Sequence, residues 1–77
     1  MPTIIRIGGL KVQVFADDHY PLHFHIVGTD FEVLVAIGSL SILKGGRYHR
    51  EVSEAMDWAR QNSDVLWNEW VRLNDDR

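Results

Sequence analysis

A histidine-rich run is the most chemically distinctive part of this 77-residue sequence. It reads Asp17-Asp18-His19-Tyr20-Pro21-Leu22-His23-Phe24-His25 and holds three of the four histidines. The imidazole titrates near pH 6.5 and its neutral ring binds metal ions, so the run could support acid–base or metal chemistry. Aspartates and a proline are typical of a turn, and a strand is expected to follow that turn.

The predicted strand at 23–27 would place the last two histidines on one face. Side chains at i and i+2 point to the same side of a sheet, with Cβ atoms about 7 Å apart at a rise of roughly 3.3 Å per residue. We therefore expect His23 and His25 to point together and Phe24 to point into the core. His19 lies four residues before His23, across the Pro21 turn.

Metal binding is the first of three hypotheses for this run. His19, His23 and His25 could bind one divalent ion such as zinc, with Asp18 as a ligand or as a partner that orients an imidazole. Three protein ligands and an open position are typical of a catalytic metal site.

The second hypothesis is acid–base catalysis without a metal, in which His19, His23 and His25 are the catalytic candidates. Neighbouring imidazoles can divide the roles of general base and general acid. With Arg6 or Lys11 holding a phosphate, such a set would suit a metal-free ribonuclease. In the third hypothesis the histidines are structural, the aspartates only stabilise a turn, and the chain is a non-enzymatic binding or regulatory module.

Weaker candidates lie outside the run. The segment from Gly45 to Arg50 is a basic patch where Arg47 and Arg50 could contact an anion or a nucleic acid, beside backbone N–H groups at a helix start. Trp58 lies off the apolar stripe of its helix, so it is the predicted interface residue for a partner or a homodimer.

Two hairpins are predicted in the first half of the chain. Gly8-Gly9 suits a two-residue turn that pairs Ile7 with Leu10, Ile5 with Val12 and Thr3 with Val14. Arg6, Lys11 and Gln13 would then share the solvent-facing side. A second two-residue turn at Gly38-Ser39 would join a strand at 31–37, which we expect to be the most buried, to one at 40–43.

The spacing of the apolar residues changes from that of a strand to that of a helix after Gly45-Gly46. Apolar residues at i, i+3, i+4 and i+7 predict a helix over about 48–62, and Ser63 is the predicted N-cap of a second helix. The fold class is therefore α+β: a small antiparallel β-meander of four to five strands, then a C-terminal helical hairpin packed on one face. We expect one domain over 1–77, β-rich over 1–44 and helical over 48–73.

Composition limits the function classes. The net charge is −3 and there is no cysteine, so a strongly basic nucleic-acid binder and thiolate chemistry are both disfavoured. No apolar run approaches the roughly 20 residues of a membrane span and no signal peptide is evident, so the expected location is the cytoplasm. A chain this short buries only about 60% of its surface on folding, so its core is marginal.

The sequence resembles a bacterial family catalogued as domain of unknown function 4160. The resemblance lies in Met1-Pro2-Thr3-Ile4, in Asp17-Asp18-His19, and in Pro21 with His23-Phe24-His25. Family members typically start Met-Pro-x-Ile and have Asp-His-x-Pro-x-His-Phe-His after the first hairpin. The central hairpin from Val33 to Leu43 departs from the family pattern, because it is more apolar than the typical acidic version.

The resemblance implies a small bacterial protein that is often encoded beside a second small protein. Some family members are named as toxins of type II toxin–antitoxin pairs. It therefore implies a toxin-like protein with a cognate antitoxin-like partner, and it marks Asp18, His19, Pro21, His23, Phe24 and His25 as signature positions. It implies no particular reaction.

Overall fold

The structure, a computed structural model, describes residues 3–15 and 22–74 and places a five-stranded sheet before two helices. Each strand pairs antiparallel with the next in the chain. The predicted α+β class, a β-meander followed by C-terminal helices, is confirmed. The elements are β1 (Thr3–Ile7), β2 (Leu10–Gln13), β3 (His23–Val27), β4 (Glu32–Ala36), β5 (Ile42–Lys44), a 3-10 turn (Gly46–Tyr48), α1 (Ser53–Gln61) and α2 (Ser63–Asn74).

The β1–β2 hairpin closes through the predicted two-residue glycine turn. Gly8 adopts φ +59°, a left-handed conformation that glycine takes without steric cost. A register shift in β1 then places Thr3 opposite Gln13, so the predicted pairing of Thr3 with Val14 is wrong. The shift displaces the end of β1, as an extra residue in one strand of a pair does. Two predicted pairs do form: Ile7 with Leu10 and Ile5 with Val12.

The β4–β5 connection is longer than the predicted two-residue turn at Gly38-Ser39. Ala36 N–H donates to the Ser41 carbonyl at 2.8 Å, and Leu40 N–H donates back to the Ala36 carbonyl at 3.0 Å. Four residues therefore lie between the hydrogen-bonded Ala36 and Ser41. Gly38 and Leu40 both adopt positive φ, +102° and +60°, which bends the backbone through this wider turn.

One face of the sheet and the two helices enclose a single apolar core. Alternate residues of β2, β3 and β4 point into this core, and α1 and α2 cover it. Phe24 is fully buried, as predicted, and each such side chain contributes roughly 1.5–3 kcal/mol on burial. The fully or almost fully buried members are Val12, Val14, Phe24, Ile26, Val33, Val35, Ile37, Val52, Ala55, Ala59, Leu66 and Trp70.

The most buried strand is β3 and not β4, which corrects the expectation for the run at 31–37. Three of the five residues of β3 are buried, against two of the five in β4 and three of the seven in the run at 31–37, counting Ile37. The central position of β3 in the sheet explains part of the difference. The third buried residue is His23, which lies on the face opposite the core and is only 7% exposed.

The helical part begins later than the predicted start at residue 48. A 3-10 turn at Gly46–Tyr48 comes first, and α1 starts at Ser53. Ser63 is the first residue of α2 and not its N-cap. The carbonyl of Asn62 accepts the N–H groups of Val65 and Leu66 at 3.0 and 3.2 Å, so Asn62 occupies the capping position one residue earlier.

The three tryptophans occupy different environments. Trp70 is 6% exposed and belongs to the core, Trp58 is half-buried and packs against it, and Trp67 is 47% exposed. Trp58 lies off the α1 stripe as expected, but it contacts the core, and Trp67 is the more exposed indole. That a tryptophan contacts a partner stays a prediction.

Gly45 should be intolerant of any side chain. It adopts φ +86°, and a Cβ there would lie 2.8 Å from the Glu32 carbonyl oxygen. We expect Gly45→Ala to lower the free energy of unfolding by about 2 kcal/mol, measured by urea denaturation. Gly46→Ala is the matched control, because its Cβ would meet its nearest atom, Ile42 Cγ2, at 4.0 Å. Equal urea midpoints for the two variants would contradict this account.

Candidate functional site

The sheet face opposite the core gathers four of the residues singled out in the sequence, Arg6, Lys11, His23 and His25. Directly paired residues in neighbouring strands point to the same side, so the register arranges them in rows that cross the strands. The row through His25 holds Gln13, Leu34 and Lys44, and the next row holds Arg6, Lys11, Val27 and Glu32. These residues, with His23 and Ala36 of a third row, are called the histidine face.

His25 and Glu32 form a close polar contact on the histidine face. The Nδ1 atom of His25 lies 2.5 Å from Oε2 of Glu32. Glu32 pairs with Val27, two residues along β3 from His25, so the two side chains meet diagonally across the β3–β4 pair. The His25 side chain is 13% exposed and that of Glu32 is 47% exposed, so the pair lies at the boundary with solvent.

This contact assigns the protons of the neutral imidazole. An ionised carboxylate can only accept hydrogen bonds, so Nδ1 of His25 must be the donor. In that tautomer the other ring nitrogen, Nε2, carries the lone pair and is the acceptor atom of the ring. A carboxylate that bonds one ring nitrogen in this way fixes both the tautomer and the orientation of a histidine.

Two further rings hold the His25 imidazole. Phe15 meets it edge to face, with centroids 4.5 Å apart and planes at 87°. The ring of His23 lies 5.1 Å away, tilted by 56°. The prediction that His23 and His25 share a face is confirmed, and the geometry restricts the His25 ring from several sides.

The two histidines differ in exposure. His23 is 7% exposed, whereas the His25 side chain is 13% exposed and its partner Glu32 is largely accessible. Gln13 is also buried, at 8%, which corrects the expectation that it lies on a solvent-facing side with Arg6 and Lys11. The buried part of the histidine face is therefore centred on His23 and Gln13, whereas Glu32 is exposed, as are Arg6, Lys11 and Lys44.

Asp17, Asp18, His19 and Pro21, in the segment predicted to be a turn, lie outside the described residues. The convergence of three histidines therefore stays a prediction. Within residues 3–15 and 22–74, no group of three His, Cys, Asp or Glu side chains lies close enough to hold a metal ion. The zinc hypothesis therefore depends on Asp18 and His19.

The predicted anion contacts fall into two places. Arg6 and Lys11 lie directly opposite each other across the β1–β2 pair, and both are exposed. Arg47 and Arg50 lie in and just after the 3-10 turn, and this segment does not form the N-terminus of α1. Two of its backbone donors are already used, since the N–H groups of Tyr48 and His49 donate to the carbonyls of Gly45 and Gly46.

Glu32 is the site residue that the sequence interpretation missed. It is the single charged residue in the run Phe31 to Ile37, and it starts the strand that pairs with the histidine strand. Pairing 23–27 with 32–36 across the turn at Gly28 would have placed it diagonally from His25. The signal was therefore an isolated acid in an apolar strand, combined with a hairpin register.

The helices of the described part are too short and too polar to cross a bilayer.

Replacing the Glu32 carboxylate should remove the constraint on which ring nitrogen of His25 carries the proton. In wild type at neutral pH, the neutral ring should be protonated at Nδ1. We expect Glu32→Gln to give a mixture of the two tautomers, because the amide can donate as well as accept. Nitrogen-15 NMR of the imidazole ring measures this directly. Glu54→Gln on the exposed surface of α1 is the control, and a wild-type tautomer in both variants would contradict the assignment.

Comparison with known proteins identifies the family but no characterised relative. Residues 9–71 match the model of the family described as Domain of unknown function (DUF4160). No curated protein and no solved structure matches the chain. The matched residues include β2 to β5, α1 and most of α2, and the match agrees with the resemblance noted in the sequence. Because it spans most of the chain, the protein belongs to the DUF4160 family, whose members share this domain of unknown function.

Proposed function

We propose that this protein is the toxin-like component of a two-protein module, and that it cleaves RNA by acid–base chemistry at His25. The observation that supports the proposal most is the 2.5 Å hydrogen bond between His25 Nδ1 and Glu32 Oε2. The bond makes Nδ1 the donor, so Nε2 is the acceptor nitrogen of a side chain that is 13% exposed. A histidine held by a carboxylate is the arrangement that general-base enzymes use to fix both tautomer and ring orientation.

RNA is the substrate that suits a site with one oriented general base. Its 2′-hydroxyl is an internal nucleophile beside the scissile phosphate, so the protein need not supply a nucleophile of its own. In the proposed step, His25 Nε2 takes the 2′-hydroxyl proton while the 2′-oxygen attacks phosphorus. The bond from phosphorus to the 5′-oxygen breaks, which gives a 2′,3′-cyclic phosphate and a 5′-hydroxyl end.

The leaving 5′-oxygen needs a proton, and His19 is the candidate that the sequence offers as its donor. His23 has a different role in this proposal. Because it is 7% exposed and its ring lies 5.1 Å from that of His25, it positions the base without touching the substrate. General acid and base groups contribute typically 10²- to 10⁴-fold each to such a reaction.

The proposed partner is a small antitoxin-like protein. The family resemblance supports it, since members are often encoded beside a second small protein. Strand β5 supports it as well, because this short strand lies at one edge of the sheet and exposes Leu43, which is 45% accessible. A partner that adds a strand to this edge would cover an unpaired backbone and a large apolar side chain together.

A second candidate function is a non-enzymatic binding module in which the histidines are structural. The burial of His23 favours it, since a buried imidazole that packs against another ring contributes to the fold. Divalent-metal binding through Asp18 and the three histidines remains a further proposal. It requires close to one equivalent of zinc or a similar ion after gentle purification, as elemental analysis would measure.

His25→Ala should abolish activity without unfolding the protein. We expect expression of wild type alone to slow bacterial growth, and the purified protein to cleave RNA to 2′,3′-cyclic phosphate ends. His25→Ala should lower the cleavage rate by about 10²-fold or more and restore growth. His49→Ala is the matched control, because His49 is exposed and only hydrogen-bonds its own turn through the Gly46 carbonyl.

Circular dichroism melting separates the two candidate functions. An active-site role predicts that the His25→Ala protein melts near or above wild type. A structural role predicts a clearly lower melting temperature and no change in growth or RNA cleavage attributable to His25. Equal cleavage by wild type and by a folded His25→Ala protein would exclude the proposed reaction.

A further inference from the structure

We propose that Arg6 and Lys11 form a phosphate-binding subsite for single-stranded RNA, one residue row away from His25. The inference rests on the proposed function and names how its substrate is held. Its evidence is independent of the histidine pair, because it lies in the charge arrangement of the β1–β2 hairpin.

The two cations are placed at an electrostatic cost. Arg6 and Lys11 are directly opposite in the β1–β2 register, so they point to the same side of the sheet. Like charges in that position destabilise a strand pair. Among the ion pairs of the described residues, none involves Arg6 or Lys11, and both are exposed. A bound anion would remove this repulsion, which explains why two cations are tolerated here.

The distance from the pair to His25 suits neighbouring phosphates of one chain. Lys11 pairs with Val27, two residues from His25 along β3. The offset is therefore about 7 Å along the strand and about 4.8 Å across it, which separates the Cα atoms by roughly 8 Å. Long Arg and Lys side chains can cover part of that distance. A phosphate held by Arg6 and Lys11 would thus leave the next one beside His25.

Glu32 does not neutralise the pair. It shares a row with Lys11, but Val27 on β3 lies between them. Its carboxylate is engaged by His25 at 2.5 Å. The row therefore places two cations at one end and the orienting carboxylate at the other. Lys44 lies in the row of His25, at the β5 edge of the same sheet face. A strand of RNA that crosses the histidine face therefore meets cations before and after His25.

Single-stranded RNA fits this arrangement better than other polyanions. The net charge of −3 offers no general attraction to nucleic acid, so binding must come from a local set of cations. In-line attack by a 2′-hydroxyl also needs a backbone that can leave the A-form geometry, which a single strand allows. An acidic segment of a protein has no 2′-hydroxyl from which the neighbouring His25 could take a proton.

Fluorescence anisotropy with a labelled eight-nucleotide 2′-O-methyl RNA tests the subsite without cleavage, because the probe lacks the nucleophilic hydroxyl. We expect Arg6→Gln/Lys11→Gln to weaken binding about tenfold or more at low salt. The slope of log Kd against log salt should fall by about 1.4, at roughly 0.7 per lost contact with a single strand. Arg47→Gln/Arg50→Gln is the control, since it removes the same charge from the other predicted basic patch.

Several results would overturn the subsite. One is an equal loss of affinity in both double variants, and another is no loss in either. The others are failure of wild type to bind the probe and tighter binding of an acidic peptide than of RNA. A fold check accompanies the assay. Because like charges are removed, Arg6→Gln/Lys11→Gln should melt at or above the wild-type temperature at low ionic strength.

The subsite and the proposed function can fail separately. If the Arg6→Gln/Lys11→Gln protein loses RNA binding while wild type cleaves no RNA, the subsite stands and the ribonuclease proposal falls. If wild type cleaves RNA and the double variant keeps the wild-type KM, the reaction stands and the subsite is overturned.

Discussion

The register of β3 between β2 and β4 is the constraint on which the rest of the molecule depends. It places Phe24 and Ile26 in the core and turns His23 and His25 to the opposite face. A slip of one residue would reverse every side chain, burying two imidazoles under the helices and exposing a phenylalanine. The apolar pattern of the core therefore fixes the position of the histidines, although the core lies on the other face of the sheet.

The same register assembles the site from distant parts of the sequence. Glu32 reaches His25 only because the turn after β3 sets the register that places the two residues diagonally. Gly45 helps to hold β4, because its missing side chain lets the backbone pack against the Glu32 carbonyl. Arg6 and Lys11 are brought beside the pair by the glycine turn of the first hairpin. The apolar core and the candidate site thus lie on opposite faces of one sheet, with β3 supplying residues to both.

Much of the fold could be predicted from period and turn chemistry. Alternating apolar residues around Gly8-Gly9 predicted the first hairpin, and the strand at 23–27 with Phe24 inward was confirmed. The wrong predictions lie where the local sequence does not determine the backbone conformation. The four-residue β4–β5 turn depends on Leu40 adopting positive φ, which is unusual for that residue type, and the late start of α1 depends on a 3-10 turn.

The site was only half predictable for a related reason. His23 and His25 share a face because of a period of two within one strand, which the sequence displays directly. Glu32 belongs to the next strand, so its position requires the register between strands, and the burial of His23 and Gln13 depends on tertiary structure. Composition suggested an acidic protein, whereas the paired cations of the first hairpin appear only when Arg6 and Lys11 are placed opposite each other.

A double-mutant cycle on RNA cleavage tests the central claim, that Glu32 acts through His25. The rates of wild type, Glu32→Gln, His25→Ala and the double variant would be compared under conditions where all four are folded. The account predicts that Glu32→Gln slows wild type by about tenfold or more, yet has no further effect once His25 is alanine. Additive losses, with Glu32→Gln equally harmful in both backgrounds, would contradict it.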